Sequence, residues 1–222
     1  MWDMPSRETL SSAFQDNIIT VVRGATAAAA EQAVDLLVAA GLPIVEITLT
    51  VPNGLKVLER ALDRHGDRAI FGAGSVLDVE SCRAALLAGA RFIVSPNTNA
   101  AVIEMARRYS AVSIPGALTP TEIVAAWERG ADLVKVFPCD PAGGPRYLKL
   151  LKGPLPQVRM VAAGGTSPAT AAAYFAAGTD AIGIPGYPIG GGSWPEAEAN
   201  ARALADVLAA RRGAPVAVPA AR

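Results

Sequence analysis

Histidine and cysteine are nearly missing from this chain. One histidine, His65, and two cysteines, Cys82 and Cys139, stand among 222 residues. A tetrahedral metal centre needs a cluster of nitrogen and sulfur ligands, so none is expected. There is no CxxC pair and no disulfide framework, which fits a reducing, cytoplasmic location. His65 lies in RHGD at the end of a helical run and reads as a surface C-cap residue. Histidine acid–base chemistry therefore has no candidate. Net charge is missing too, with 20 basic residues against 20 acidic ones. Nucleic acids and anionic membranes select basic surfaces, so neither is an expected partner. No apolar run reaches the roughly 20 residues that a membrane helix requires. The first residues, MWDMPSRETLSSAF, lack a basic segment leading into an apolar one, so no signal peptide is expected.

What the chain does have is a beat. An Ala-rich helical run, a glycine and a short apolar run recur as LVAAGLPIVEIT, LLAGARFIVS, WERGADLVKVF and FAAGTDAIGI. Gly41, Gly89, Gly130 and Gly178 stand where a helix ends in a left-handed residue. The apolar runs are too short for helices and mostly apolar on both faces, as in buried parallel strands. Eight such runs are expected: NIITVVR, IVEITL, AIFGAG, RFIVS, AVSIP, DLVKVF, VRMVAAG and AIGI. Helices are expected near 26–40, 54–65, 78–88, 99–109, 119–129, 143–152, 167–177 and 194–211, with Thr26, Asp78, Asn99, Thr119 and Ser167 as N-caps. Eight strand–helix units in this length predict one (β/α)8 TIM barrel over residues 1–210, with a short N-terminal helix near 6–15. An open doubly wound sheet is the alternative. RRGAPVAVPAAR, 211–222, lacks helical period and reads as a loose tail.

Chemistry in such barrels sits at the C-terminal ends of the strands. Two charges stand there inside apolar runs: Glu46 in IVEITL and Lys135 in DLVKVF. Side chains alternate along a strand, so Lys135 shares a face with Leu133 and Phe137, and Glu46 with Ile44 and Thr48. Burying either charge unpaired costs on the order of several kcal/mol. One outcome is structural: the two form a buried ion pair, or each snorkels outward. The other is chemistry: desolvation, aided by Arg23 at the first strand's end, lowers the lysine pKa and yields a neutral amine nucleophile. Glu46 would then move protons. GGTS, Gly164 to Ser167, precedes a helix and offers backbone N–H groups to an anion, or serves only tight packing. GAGS, Gly72 to Ser75, lacks the spacing of a dinucleotide or P-loop motif. Strand ends show no paired carboxylates for Mg²⁺. Cys139 reads as a small loop residue.

Taken together, DLVKVFP, VEITLT, FGAGSVLD, FIVSPNTN, SIPGALTPTEI and VAAGGTSP follow in the order that resembles the 2-keto-3-deoxy-6-phosphogluconate aldolases and their phosphogalactonate relatives. The similarity spans about residues 17–184, and VVRG with NGL resembles the phosphogalactonate branch. It implies a class I aldolase. Lys135 would form an iminium with a 2-keto acid and Glu46 would shuttle protons, with no metal or organic cofactor. The resemblance further implies Ser75 near the pyruvyl carboxylate, Pro96 and Phe137 as pocket walls, Arg23 on the carboxylate, and a homotrimer. Thr50 stands where the gluconate branch has arginine. Pro185-Gly186 stands where the family has Gly-Ser, so Gly186 joins Gly164 and Gly165 at the phosphate end without a hydroxyl. GGGSW, Gly190 to Trp194, is either a shifted anion site or the start of the last helix with Ser193 as cap. Alternatives are a 4-hydroxy-2-oxoglutarate aldolase and a non-catalytic barrel that binds a sugar acid or serves as a scaffold.

Overall fold

A computed structural model describes residues 6–185 and 193–212. After a short helix α1 (Arg7–Ser12), strands and helices alternate. The strands are β1 (Asn17–Val22), β2 (Ile44–Thr48), β3 (Ile70–Gly74), β4 (Phe92–Val94), β5 (Val112–Ile114), β6 (Gly116–Ala117), β7 (Val134–Val136), β8 (Met160–Ala163) and β9 (Ala181–Pro185). The helices are α2 (Ala27–Ala39), α3 (Gly54–His65), α4 (Val79–Leu87), α5 (Ala100–Arg108), α6 (Pro120–Glu128), α7 (Gly144–Lys152), α8 (Pro168–Ala176) and α9 (Trp194–Arg212).

All pairings are parallel, in the order β5-β4-β3-β2-β1-β9-β8-β7-β6. The two ends of this order, β5 and β6, are consecutive in the chain and separated only by Pro115. The sheet is thus a barrel. Nine segments form where eight strands were expected, because AVSIPGA is one stave cut in two. Proline has no N–H for a ladder, and at Pro115 the chain changes partner. Ile114 O accepts from Ser95 on the β4 side, while Pro115 O accepts from Lys135 on the β7 side at 2.8 Å.

Local signals set the helix ends as expected. Thr26, Asp78, Asn99, Thr119 and Ser167 are the N-caps, and Thr119 with Glu122 forms a capping box. Gly41, Gly89, Gly130 and Gly178 follow their helices with φ between +81° and +98°. Ser193 stands directly before α9, where its N–H and hydroxyl both donate to Glu196. This is the helix-start reading of GGGSW; Gly190 to Gly192 lie outside the described residues.

Period-two alternation gives two cores. Outward residues such as Val45, Ile47, Phe71 and Ala73 pack against the helices. Inward ones, including Ile19, Ile44, Ile70, Phe92, Val112, Leu133, Val161 and Ala181, fill the barrel with Leu10 and Phe14. Phe14 is fully buried and meets Phe92 edge-on at 5.2 Å. The α1 segment therefore floors the barrel, and Arg159 holds it by donating to the Ser11 hydroxyl and carbonyl. The last helix, α9, reaches Arg212, and Arg211 stacks on Phe175 and pairs with Asp16, just before β1. Residues 213–222 lie outside the described residues.

His65 departs from its expected surface place. It ends α3 but is buried, with Nε2 2.6 Å from Asp35 Oδ1 and the Arg68 guanidinium against Nδ1. Its ring links α2 to α3 and stands at a helix end rather than at the C-terminal end of a strand.

Candidate active site

The inward face of the barrel carries a second layer above the apolar one, and here the two expected charges appear. Glu46 follows Ile44 by two on β2, and Lys135 follows Leu133 by two on β7. Glu46 is 2% exposed and Lys135 7%. Each has a glycine beside it in register: Gly72 across from Glu46, and Gly116 across from Lys135. The missing side chains leave room for long ones.

Gly74 shows how tight this room is. A Cβ there would stand 1.8 Å from Glu46 Oε1. At Gly72 it would meet Phe92 at 2.5 Å, and at Gly116 the Pro96 carbonyl at 2.3 Å. Sequence reading did not place Gly72, Gly74 or Gly116 in the site. The available signal was glycine at three positions on two strands, β3 and β6, which packing alone would fill with Ala or Val.

No ion pair within 4 Å joins Glu46 to Lys135 among the described residues, and Glu46 Oε1 has no hydrogen-bond partner there. A static structural ion pair is therefore not what this layer holds. Burial pushes the Glu46 carboxyl above its usual range, against the opposing pull of Lys135 and Arg23. Burial likewise pushes the Lys135 amine below its usual range; Glu46 opposes this and Arg23 assists it. Both groups are driven toward neutrality, the amine's nucleophilic form. Lys135 Nζ also lies 4.8 Å from the centroid of the Phe137 ring, whose face favours a cation formed there.

The other expected residues surround this pair unevenly. Arg23 is half-buried one residue past β1, and its charge reaches both Glu46 and Lys135. Ser75, half-buried, follows β3 at φ +59°, a left-handed conformation that costs a non-glycine residue about 1 kcal/mol. Pro96 and Phe137 are half-buried beyond β4 and β7. Thr50 is exposed; its hydroxyl meets Thr48 Oγ1 at 2.9 Å, and Thr48 in turn donates to Val22 O.

After β8 the chain turns through Gly164 and Gly165, both at φ +85°. A Cβ on Gly164 would meet Phe137 and Pro138 at 3.0 Å, and one on Gly165 would meet the Asp140 Cβ at 2.3 Å. The glycines thus serve close packing. They also leave the Gly165 and Thr166 N–H groups without an acceptor among the described residues, ahead of the nine-residue helix α8. Close packing and unpaired N–H groups coexist at this turn. Pro185 ends β9, and its carbonyl accepts from Asn200; Gly186 lies outside the described residues. Cys139 is buried, its thiol pushed up to about 11 by burial, and is not a nucleophile near neutral pH. No group of three or more metal-ligating side chains is found among the described residues, and no described helix is long and apolar enough to cross a membrane.

The sequence model of a family described as "Aldolase: KDPG and KHG aldolase" matches residues 11–204. The 2-dehydro-3-deoxy-6-phosphogalactonate aldolase of Escherichia coli K12 is 37% identical over 168 residues, covering 75% of this chain and 82% of that one. A solved structure described as native KDPGal is 33% identical, with a TM-score of 0.81 over 89% of this chain and 96% of its own. The 2-keto-3-deoxy-6-phosphogluconate aldolase of Zymomonas mobilis ZM4, solved with 3-phosphoglycerate, is 26% identical, with a TM-score of 0.76 over 95% and 97% of the two chains.

Proposed function

The chain belongs to the KDPG and KHG aldolase family, and on that premise we propose the reaction and the residues that carry it. It is a carbon–carbon lyase that cleaves a 2-keto-3-deoxy-6-phospho sugar acid, of gluconate or galactonate type, to pyruvate and glyceraldehyde 3-phosphate. Lys135 supplies the nucleophile. Its neutral amine adds to the C2 carbonyl, and the protonated Glu46 carboxyl gives its proton to the departing carbinolamine hydroxyl, so that water leaves, an iminium forms and Glu46 becomes a carboxylate. Glu46 takes the proton of the C4 hydroxyl as the C3–C4 bond breaks. The bonding electrons move into the iminium, which becomes an enamine, and the aldehyde leaves. Glu46 returns a proton to C3, and water hydrolyses the resulting iminium to pyruvate and free amine. The iminium is the electron sink, so the reaction needs no metal or organic cofactor.

The observation that carries this reading is the layer of two buried, unpaired and oppositely charged groups, both driven toward neutrality. Arg23 and Ser75 hold the pyruvyl carboxylate, with Thr50 at the rim. Pro96 and Phe137 wall the pocket, and the Phe137 face steadies the iminium cation. The free N–H groups at the turn of Gly164 and Gly165, with Gly186 beyond Pro185, receive the distal phosphate. Exposed Leu77, Leu87, Trp127 and Leu150 fit burial between copies of a cytoplasmic homotrimer, and sedimentation velocity reads that state directly.

Incubation with pyruvate, reduction with borohydride and peptide mass analysis test the chemistry. The expected adduct is on Lys135; its absence there overturns the Schiff-base reading. Lys135→Ala abolishes cleavage, and a chelator leaves wild-type activity unchanged. A second reading, cleavage of 4-hydroxy-2-oxoglutarate or another unphosphorylated 2-keto acid, is favoured by Pro185, which has no N–H to offer a phosphate. Equal kcat/KM on phosphorylated and unphosphorylated substrates would favour it. Binding of a sugar acid without turnover would leave only the non-catalytic barrel.

A further inference from the structure

Asp140 belongs to neither the lysine layer nor the floor of the barrel. It stands in the loop between β7 and α7, and its N–H donates to Gly164 O at 3.0 Å. Its side chain lies against the glycine turn so closely that a Cβ on Gly165 would stand 2.3 Å from the Asp140 Cβ and 3.1 Å from its Oδ2. The other oxygen, Oδ1, accepts from the Tyr174 hydroxyl at 3.4 Å. Tyr174 is fully buried on α8, so this partner is fixed in place. No cationic side chain lies within ion-pair distance of Asp140 among the described residues. A carboxylate therefore sits beside the turn whose Gly165 and Thr166 N–H groups face no protein acceptor.

We infer that Asp140 is a specificity-determining residue that limits how much negative charge the distal end of the substrate can carry. The inference rests on the proposed placement of the distal anion at the Gly164–Gly165 turn. The N–H groups draw an anion in, and the neighbouring carboxylate repels it. The repulsion scales with the charge of the bound group, so a phosphate dianion loses most and a hydroxymethyl group nothing. The Asp140 side chain is exposed, which screens the effect to about three- to fivefold in affinity.

Asp140→Asn isolates the charge. The side chain keeps its shape, the backbone N–H stays on Gly164, and the amide oxygen still accepts from Tyr174. Inorganic phosphate and glycerol 3-phosphate are titrated calorimetrically into the wild type and the variant, at about 20 mM and about 300 mM salt. The variant should bind both about three- to fivefold more tightly at low salt, with the gap narrowing at high salt. Its preference for phosphorylated over unphosphorylated 2-keto-3-deoxy acids should rise by the same factor. Equal or weaker phosphate binding by the variant overturns the inference, and so does an absence of phosphate binding by both proteins. Pyruvate trapping at Lys135, run in parallel, separates the two ideas. Trapping without a phosphate effect leaves the aldolase standing and removes Asp140; a phosphate effect without trapping does the reverse.

Discussion

Gly74→Ala adds one methyl group at the point where the site has least room. The new Cβ would stand 1.8 Å from Glu46 Oε1 and 2.5 Å from its Cδ, whereas ordinary contact begins near 3.4 Å. The carboxylate must retreat by about 1.6 Å, or β2 and β3 must part. The β3 backbone at Gly74 is not left-handed, so alanine brings no strain of its own. A displacement of about 1 Å in a catalytic group costs on the order of 10²-fold in rate. Overpacking costs about 1–3 kcal/mol of stability, which at this chain length lowers Tm by roughly 2–12 °C. Cleavage by Gly74→Ala should therefore fall about 10²-fold in kcat, while borohydride still traps pyruvate on Lys135. Steady-state kinetics, adduct mass and a melting curve read the three effects. Wild-type kcat in a folded Gly74→Ala protein would refute the claim that residue 74 seats the Glu46 carboxylate.

Three other outcomes follow from the same structure. Glu46 holds the Lys135 pKa up and Arg23 holds it down; the pH midpoint of pyruvate trapping should therefore fall in Glu46→Gln and rise in Arg23→Gln. In the wild type, trapping should increase with pH and level off below 10.5, the lysine's ordinary value. Phe14→Ala empties the barrel floor beneath Phe92 and should cost about 3–5 kcal/mol in denaturant unfolding, with Lys135 still trapping pyruvate in the folded fraction. Thr119→Ala breaks the capping box of α6 and should cost about 1 kcal/mol, without altering kcat.

Features that depend on local sequence were legible before any coordinates. The caps at Thr26 and Asp78 and the left-handed glycines after each Ala-rich run follow from unsatisfied backbone groups, which neighbours in sequence must satisfy. Glu46 and Lys135 were legible because a charge within an apolar strand has few explanations. What remained hidden depends on register between strands. That Gly74 makes room for Glu46 requires β2 and β3 to be aligned with Glu46 opposite Gly72. The split at Pro115 required knowing that β4 and β7 flank the same stave. His65 looked exposed because nothing in RHGD announces Asp35, 30 residues earlier on the neighbouring helix. Thr48, read in sequence only as sharing a face with Glu46, links the Thr50 hydroxyl to the end of β1.

The break at Pro115 also bears on how crowded this protein can safely become. A sheet that ends in two open strands presents backbone groups to which another chain can add, and strand addition is how many β proteins polymerise. Here the sheet's two ends, β5 and β6, are neighbours in one peptide chain, each already paired on its inner side. Closure is covalent at the one place where a docking edge would otherwise lie. One stave that serves both neighbours thereby removes the template for fibril growth.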